Sequence, residues 1–377
     1  MNKPIRVFWY CEKWQPGGIQ KVQANLLRYF RADEFRFDVV VSQKETELLD
    51  KALSDCGARM IVTLDRRYGG PARRTLHNIF AVRRVIRSGA YDVAHFNVCH
   101  GVELIYSFWA WLYGVPVRIA HCRNNDIGAG GKMRRVKIAA HRLCRRLFGR
   151  CTNVHLANSD LAGQWLFSDG RYRVLKNGVD AEAFRFDPQR RDEERRRLGL
   201  KDAFVVGHVG HFNYQKNHEF LVRIFDAVQR RRADARLLLV GTGEGEAQVR
   251  SQIEALGIAD KVVFYGATND VPPAMWAMDA FVFPSRFEGF GNVLIEAQAA
   301  GLRCYASEGV IPREVCVTED FSWLPLDAPA GQWADALLND CGAPRPDSAG
   351  ALERIRRAGY DLADMAAELK AIYRGGR

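Results

Sequence analysis

The residue types best suited to chemistry gather in one segment of the last third of the chain. Its sequence is Ser285-Arg286-Phe287-Glu288-Gly289-Phe290-Gly291-Asn292-Val293-Leu294-Ile295-Glu296. The apolar run 280–283 predicts a buried strand that ends at Pro284, and a helix is predicted to begin near Asn292. Unpaired N–H groups at the start of a helix form an anion site, and glycines in the preceding loop let a phosphate group approach closely. The segment therefore predicts a phosphate-binding loop.

The two glutamates of this segment are candidates for binding hydroxyl groups beside the phosphate. Side chains on a helix lean toward its N-terminus, so Glu296 can direct its carboxylate at whatever lies near the phosphate. A carboxylate accepts hydrogen bonds from two vicinal hydroxyls, such as those of a ribose. Glu288, in the loop, is expected nearer the group beyond the phosphates. The alternative is that Glu288 is a solvated loop charge and Glu296 a salt-bridged helix residue.

The elements that must position this loop follow from an alternation of strand-like and helix-like runs. In the first half, short β-rich runs predict strands at 5–11, 37–41, 60–64, 91–96, 117–121, 154–157 and 173–175. Amphipathic runs between them predict helices at 19–31, 46–55, 74–88, 102–113, 132–148 and 160–168. This alternation is typical of a parallel, doubly wound sheet.

The second half repeats the pattern with a new start. Strands are predicted at 205–209, 236–240, 262–265, 280–283 and 303–306. Helices are predicted at 217–231, 245–256 and 272–278, from 292, and at 332–341 and 350–373. Because 377 residues are too many for one ordinary core, we expect an α/β protein of two Rossmann-like domains facing each other across a cleft. The predicted domains are 1–180 and 181–355, and 356–377 is expected to form a helix that packs back on the first domain.

Composition and charge limit the class of protein. The chain shows no apolar run of signal-peptide character at its start and none of the ~20 residues that a spanning helix requires. Nine cysteines without a Cys-x-x-Cys pair favour reduced thiols, and we expect a cytoplasmic protein. Residues 1–180 carry 30 lysines and arginines against 15 acidic residues. No nucleic-acid-binding module accompanies this charge, so no nucleic-acid partner is expected, and a basic nucleic-acid-binding protein is kept as the alternative of a different class.

Further motifs stand in order along the chain: Gly17-Gly18, His121 at the end of a predicted strand, Asn177-Gly178-Val179-Asp180 and Gly210-His211-Phe212-Asn213-Tyr214-Gln215-Lys216-Asn217. Together with Glu288 and Glu296, spaced as Glu-x7-Glu, they resemble the motifs of retaining glycosyltransferases of family 4. That family has the GT-B fold and includes many bacterial exopolysaccharide and capsule enzymes. The likeness runs through nearly the whole chain.

The resemblance implies a hexosyltransferase that takes a hexose or N-acetylhexosamine from a nucleotide sugar, a UDP-sugar in our expectation. The acceptor would be a growing, lipid-linked glycan in cell-surface polysaccharide synthesis. The first domain would be the acceptor side, and the second would bind the donor. A nucleotide-sugar epimerase of the same architecture is the alternative.

The resemblance also implies roles for single residues. Lys216 would neutralise the diphosphate leaving group, His121 would contact the donor sugar near its reacting carbon, and Glu288 would bind that sugar. These three are the predicted catalytic residues, and the glutamates act as binders rather than as the acid/base pair of a hydrolase. The predicted donor-binding residues are Gly17, Gly18, His211, Lys216, Glu288, Gly289, Phe290, Gly291, Asn292, Val293 and Glu296.

No metal or cofactor is expected. The sequence contains no Asp-x-Asp, the usual carboxylate pair for a divalent ion. The segment Gly241-Thr242-Gly243 resembles the start of a dinucleotide fingerprint, but Glu246 stands where the third glycine should be. We predict a tight turn there.

The basic first half contains an amphipathic helix with eight lysines and arginines between 132 and 150. Its apolar residues at helical spacing are Met133, Val136, Ala140, Leu143 and Leu147. Such a helix suits an anionic membrane surface, where each cation adds about 1 kcal/mol, and would place the protein at the inner face of the cytoplasmic membrane. A helix packed on its own domain with a solvated basic face fits equally well.

One departure from the family generates a prediction. The family usually has arginine at the position of His211, and arginine grips phosphate with two hydrogen bonds while an imidazole is only partly charged at neutrality. We expect H211R to bind the donor more tightly than wild type, with an advantage that grows from about pH 6 to about pH 9. Indistinguishable kinetics of the two proteins across that range would contradict this expectation.

Overall fold

The computed structural model describes residues 3–14, 18–45, 47, 50–64, 71–127 and 131–375. The chain folds as two compact units. Unit 1 contains the described residues up to Gly178, apart from Gly18, together with those from Leu362 onward. Unit 2 contains Gly18 and the residues from Val179 to Asp361.

Unit 1 is built on a parallel sheet of seven strands. The strands are β1 (Ile5–Trp14), β2 (Phe35–Lys44), β3 (Arg59–Val62), β4 (Val93–Val98), β5 (Val117–Cys122), β6 (Val154–Ala157) and β7 (Arg173–Val174). The helices between them are α1 (Gly18–Leu27), α2 (Asp50–Asp55), α3 (Pro71–Gly89), α4 (Ile105–Leu112), α5 (Gly131–Phe148) and α6 (Asp160–Leu166). The strand order is β3-β2-β1-β4-β5-β6-β7, in which the chain turns back beside β1.

Unit 2 repeats this architecture with six parallel strands. It begins with α7 (Pro188–Arg197), and its strands are β8 (Val205–Val209), β9 (Arg236–Val240), β10 (Val262–Gly266), β11 (Ala280–Phe283), β12 (Arg303–Ser307) and β13 (Phe321–Leu324). Its other helices are α8 (His218–Gln229), α9 (Glu246–Ala255), α10 (Pro272–Ala277), α11 (Asn292–Ala299), α12 (Ala330–Asn339) and α13 (Ser348–Arg357). The strand order is β10-β9-β8-β11-β12-β13.

The predicted pair of Rossmann-like α/β halves is confirmed by these two sheets. Strands buried on both faces read as continuous apolar runs, because successive side chains enter opposite layers of the core. In β1, Val7 and Trp9 join one hydrophobic cluster, whereas Phe8 and Tyr10 join the cluster on the other face.

The last helix, α14 (Leu362–Tyr373), belongs to unit 1. Its side chains Met365, Leu369 and Tyr373 are buried in the same cluster as Trp9 of β1. The end of the chain therefore completes the core around the first strand.

Three elements differ from the sequence prediction. A single helix over 350–373 is wrong, because Gly359, with φ of +73°, ends α13, and α14 starts only at Leu362. Helix α7 was not predicted, because it lacks the apolar stripe by which a helix is recognised in a sequence. The side chain of Asp187 caps its first turn, and Arg195 anchors it through a hydrogen bond to Asp279. Strand β13 was also not predicted. Part of the predicted helix over 46–55 lies outside the described residues, and α2 covers its end.

Candidate functional site

The loop between β11 and α11 carries the two predicted glutamates. Helix α11 begins at Asn292 as predicted, after Gly291, whose φ of +98° favours glycine. The backbone N–H of Glu288 donates to the carbonyl of Val310 at 3.2 Å, and Glu288 is only 5% exposed. The alternative of a solvated loop charge is therefore wrong for Glu288. Glu296 lies in the second turn of α11 and is buried as well.

Glu288 is in direct contact with Lys216, which lies in the loop between β8 and α8. The Lys216 ammonium donates to Oε1 of Glu288 at 2.6 Å, and Nζ lies 4.5 Å from the centre of the Phe283 ring. The two charged side chains are 16% and 7% exposed. Because water screens such a pair only weakly, the opposite charges hold each other in one position.

The loop that carries Lys216 is held by the glycine turn after β9. The N–H of Phe212 donates to the carbonyl of Thr242 at 3.0 Å, and the N–H of Gly245 donates back to the carbonyl of Phe212 at 2.8 Å. A Cβ added at Gly241 would lie 2.2 Å from the carbonyl oxygen of Gly210, and one at Gly243 would lie 2.5 Å from that of Phe212. The glycines are therefore required because two backbones touch, which explains the tight turn predicted at 241–243.

His211 lies at the surface of the same loop. Its Nε2 is 3.0 Å from Oε2 of Glu244, and the glutamate side chain is 76% exposed. A carboxylate in this position would compete with any phosphate group for the imidazole. An arginine at position 211 would meet the same competitor.

Contacts between the loops after β8 and β11 were not apparent from the sequence. The backbone N–H of Arg286 donates to the carbonyl of Gln215 at 2.8 Å, and the Gln215 side chain donates to the carbonyl of Phe287 at 3.1 Å. The Arg286 guanidinium stacks on the Tyr214 ring, 4.3 Å from its centre. These contacts exist because β8 and β11 are neighbours in the sheet, and only knowledge of the strand order could have predicted them.

His121 is the predicted residue of unit 1. It lies near the end of β5, is fully buried, and its Nδ1 is 3.1 Å from Nε2 of His95. Burial, together with the nearby Arg123 and His95, holds the pKa of His121 well below its usual range. His121 is therefore a neutral imidazole at physiological pH.

Unit 2 brings most of the predicted site residues together, since Lys216 reaches Glu288 and the loop of Glu288 leads into α11. Gly18 is the first residue of α1, and Gly17 lies outside the described residues. Within the ranges that the structure describes, no three side chains of His, Cys, Asp or Glu are grouped so that they could hold a metal ion.

Two parallel-sheet Rossmann-like units in one chain, the second with a paired lysine and glutamate beside a helix start, define a glycosyltransferase of the GT-B class. The chain belongs to this family: residues 17–178 match the "Glycosyl transferase 4-like domain" and residues 190–324 match "Glycosyl transferases group 1". The matches favour the transferase over the epimerase and the nucleic-acid-binding protein that the sequence had left as alternatives.

Relatives and solved structures extend over the whole chain. EpsF of Bacillus subtilis is 27% identical over 98% of this chain and 96% of its own length. The UDP-Gal:alpha-D-GlcNAc-diphosphoundecaprenol alpha-1,3-galactosyltransferase of Escherichia coli is 25% identical over 77% of this chain and 76% of its own. The structure of Anabaena HepE in complex with UDP-glucose shares the fold, with a TM-score of 0.78 and 18% identity over 98% of this chain and all of HepE.

The contact between the loops predicts an effect of G243A. The added methyl group would meet the backbone of Phe212 and displace the loop that carries Lys216. We expect the Kd for UDP, measured by calorimetry, to rise about tenfold, which corresponds to about 1.4 kcal/mol. G331A is the matched control, because the nearest atom to its Cβ is 3.7 Å away on a flexible arginine side chain. Equal UDP affinity of the two folded variants would contradict the prediction.

Proposed function

We propose that the protein is a retaining hexosyltransferase that moves a hexose or N-acetylhexosamine from a UDP-sugar to a growing, lipid-linked glycan in cell-surface polysaccharide synthesis. The observation that carries this proposal is the buried contact of Lys216 with Glu288. It lies in loops that follow the carboxyl ends of β8 and β11, the edge at which open α/β sheets bind ligands. A cation, the N–H groups that open α11 and two carboxylates suit the anionic and hydroxyl groups of a sugar nucleotide.

In the proposed reaction, the acceptor hydroxyl oxygen bonds to the anomeric carbon while the bond from that carbon to the diphosphate oxygen breaks. Attack on the face from which the diphosphate leaves retains the configuration, and the hydroxyl proton passes to the departing phosphate oxygen. Lys216 and the amides at the start of α11 stabilise the charge that develops on the diphosphate. Glu288 binds hydroxyls of the sugar, Glu296 binds those of the ribose, and His121 contacts the sugar near its reacting carbon.

The names of the relatives support the choice of substrates. The E. coli relative is named for UDP-Gal and a diphosphoundecaprenol-linked sugar, and a Campylobacter jejuni relative is also named for a diphospho-undecaprenol acceptor. HepE, which shares the fold, was solved with UDP-glucose. By analogy we assign this chain a UDP-sugar donor and a lipid-diphosphate acceptor.

A donor panel tests the proposal. Purified protein is mixed with sugar nucleotides and a short-chain prenyl diphosphate that carries an N-acetylhexosamine, and release of nucleoside diphosphate is followed. We expect turnover with a UDP-sugar and a loss of at least about 100-fold in K216A and E288A, the range that removal of a transition-state donor causes. Activity of both variants equal to wild type would overturn the site, and turnover of no donor would overturn the function.

We also propose that unit 1 docks on an anionic membrane surface, at the inner face of the cytoplasmic membrane. Seven of the eleven large hydrophobic side chains exposed in the described part of the chain lie on the neighbouring helices α3, α4 and α5. They are Leu76, Phe80, Trp111, Leu112, Val136, Leu143 and Leu147. The described residues contain no helix long and apolar enough to cross a membrane.

Helix α5 leaves three residues of its apolar stripe, Val136, Leu143 and Leu147, exposed to solvent. Its inward contacts include those of Phe148, which packs on the core of the unit, and of His141, which accepts a hydrogen bond from the N–H of Gly101 at 2.8 Å and stacks on Trp165. Leu143 and Leu147 are 58% and 57% exposed. Helix α5 thus packs on its own domain, as the alternative expected, and still leaves these leucines exposed. Exposed leucines among arginines suit the boundary between headgroups and acyl chains, which supports the membrane proposal.

A flotation assay tests the membrane proposal. We expect wild-type protein to float with vesicles that contain phosphatidylglycerol and to float less with pure phosphatidylcholine. The double variant L143S/L147S should lose most of that binding, since burial of each leucine contributes about 1.5–3 kcal/mol. L161S, at an exposed leucine of α6, is the control and should float like wild type. Absence of a preference for anionic lipid would refute the proposal.

A further inference from the structure

A row of polar side chains crosses the carboxyl end of the sheet in unit 1. His95 and Asn97 alternate on β4, and His121 and Arg123 alternate at the end of β5. Asn97 is paired with His121 in the strand register. Because residues two apart share a face, and because parallel pairing keeps partners on one face, all four side chains lie on the same side of the sheet.

The tautomer of His121 is assigned from its hydrogen bonds. The hydroxyl of Tyr373, in α14, is 2.7 Å from Nδ1 of His95, and it makes no other side-chain hydrogen bond to the residues that the structure describes. Burial raises the pKa of this hydroxyl, so it keeps its proton. We assign it as the donor to His95, because its hydrogen would otherwise be buried without an acceptor. His95 then donates from Nε2 to Nδ1 of His121 at 3.1 Å. The remaining nitrogen of His121, Nε2, therefore carries the hydrogen.

The His121 Nε2–H has no acceptor among the described residues, although it is buried. A buried donor without an acceptor costs about 1–3 kcal/mol. A bound molecule that supplied the acceptor would remove this cost.

Arg123 carries a second unpartnered donor on the same face. Its Nε donates to Oδ1 of Asn97 at 2.8 Å and one terminal nitrogen donates to Oδ1 of Asn177 at 2.7 Å, but the other terminal nitrogen has no partner in the described structure. Arg123 is 3% exposed. Burial lowers its pKa to about 10, so the guanidinium is still charged at neutral pH.

The buried Arg195 and the half-buried Arg345, by contrast, have hydrogen-bond partners. Arg195, which is 5% exposed, is bonded to the carboxylate of Asp279, and Arg345 donates to four backbone carbonyl groups. No carboxylate of the described chain lies within ion-pair distance of Arg123, whose two acceptors are neutral amides. An unneutralised cation in a medium of low dielectric attracts an anion strongly.

We infer that Arg123, together with the Nε2–H of His121, binds a phosphoryl oxygen of a substrate. The chemistry is that of a phosphate ester or diphosphate, for which the arginine fork supplies paired donors. Its source is either the nucleoside diphosphate or the phosphate that links the acceptor to its lipid. The inference rests on the proposed function in that both substrates of that reaction carry phosphate.

Binding measurements with three probes test the inference. Isothermal titrations use UDP, geranyl diphosphate as a short phosphate-linked lipid, and uridine as the probe without phosphate. R123Q removes the cation. N177D leaves Arg123 in place but gives it a carboxylate partner in an isosteric side chain, which satisfies the arginine in the fold and neutralises it toward a ligand. Thermal denaturation of each variant reports whether it is folded.

We expect both variants to lose at least about tenfold in affinity for one of the two diphosphates, with uridine binding unchanged. Loss for UDP alone assigns the site to the donor, and loss for geranyl diphosphate alone assigns it to the acceptor. Should R123Q fail to fold, N177D decides the question, because a purely structural arginine would be stabilised by the new carboxylate without any change in affinity. Unchanged affinity for both diphosphates in folded N177D, or no binding of either by wild type, overturns the inference.

The donor panel is a separate measurement. If wild type turns over no sugar nucleotide but its diphosphate binding depends on Arg123, the proposed function fails and the phosphoryl site stands. If wild type turns over a sugar nucleotide but R123Q and N177D bind both diphosphates with unchanged affinity, the proposed function is supported and the phosphoryl site is rejected.

Discussion

The adjacency of β8 and β11 in the sheet of unit 2 is the constraint on which its candidate site depends. The loops that leave these strands are separated by some 70 residues in sequence, and yet Lys216 meets Glu288 at 2.6 Å because the two strands end side by side. The contact needs three further conditions. Glycines must let the backbones at 210–213 and 241–245 touch, Asn217 must adopt its left-handed φ of +57° before α8, and Gly291 must do so before α11. A change at any of these positions moves a charge within a buried pair, where small displacements are costly.

The two units treat buried cations in opposite ways. In unit 2, Lys216 is paired with Glu288, so that the two charges of this pair balance each other before any ligand arrives. In unit 1, Arg123 is held by two neutral amides. The first arrangement fixes geometry, since each partner locks the other. The second leaves the local charge at the end of β5 uncompensated, and it makes the neighbouring imidazole of His121 a neutral donor, with a pKa held down by burial and by that same charge.

Much of this fold can be predicted from local sequence patterns. Strands such as β1 and β9 are near-continuous apolar runs, and the helix start at Asn292 follows from the loop glycines. The spacing of apolar residues and the turn-forming residues are therefore enough to predict these elements. Helix α7 could not be predicted in this way, because ion pairs rather than an apolar stripe stabilise it. The pairing of Gln215 with Arg286, and the chain from Tyr373 to His121, depend on strand order and on a helix that returns from the end of the sequence. The direction in which Leu143 and Leu147 point was likewise undecidable, since an apolar stripe predicts burial and membrane contact equally.

The return of α14 has a consequence for synthesis on the ribosome. Nearly all of unit 1 is translated before unit 2, but its cluster around Trp9 lacks Leu369, Ile372 and Tyr373 until α14 emerges. The stretch between Gly178 and Leu362 takes roughly 10–40 s to translate at about 5–20 residues per second. During that interval the nascent first unit lacks the helix that covers this apolar face in the folded protein. Unit 1 is therefore begun before unit 2 but can complete its core only after unit 2 has been synthesised.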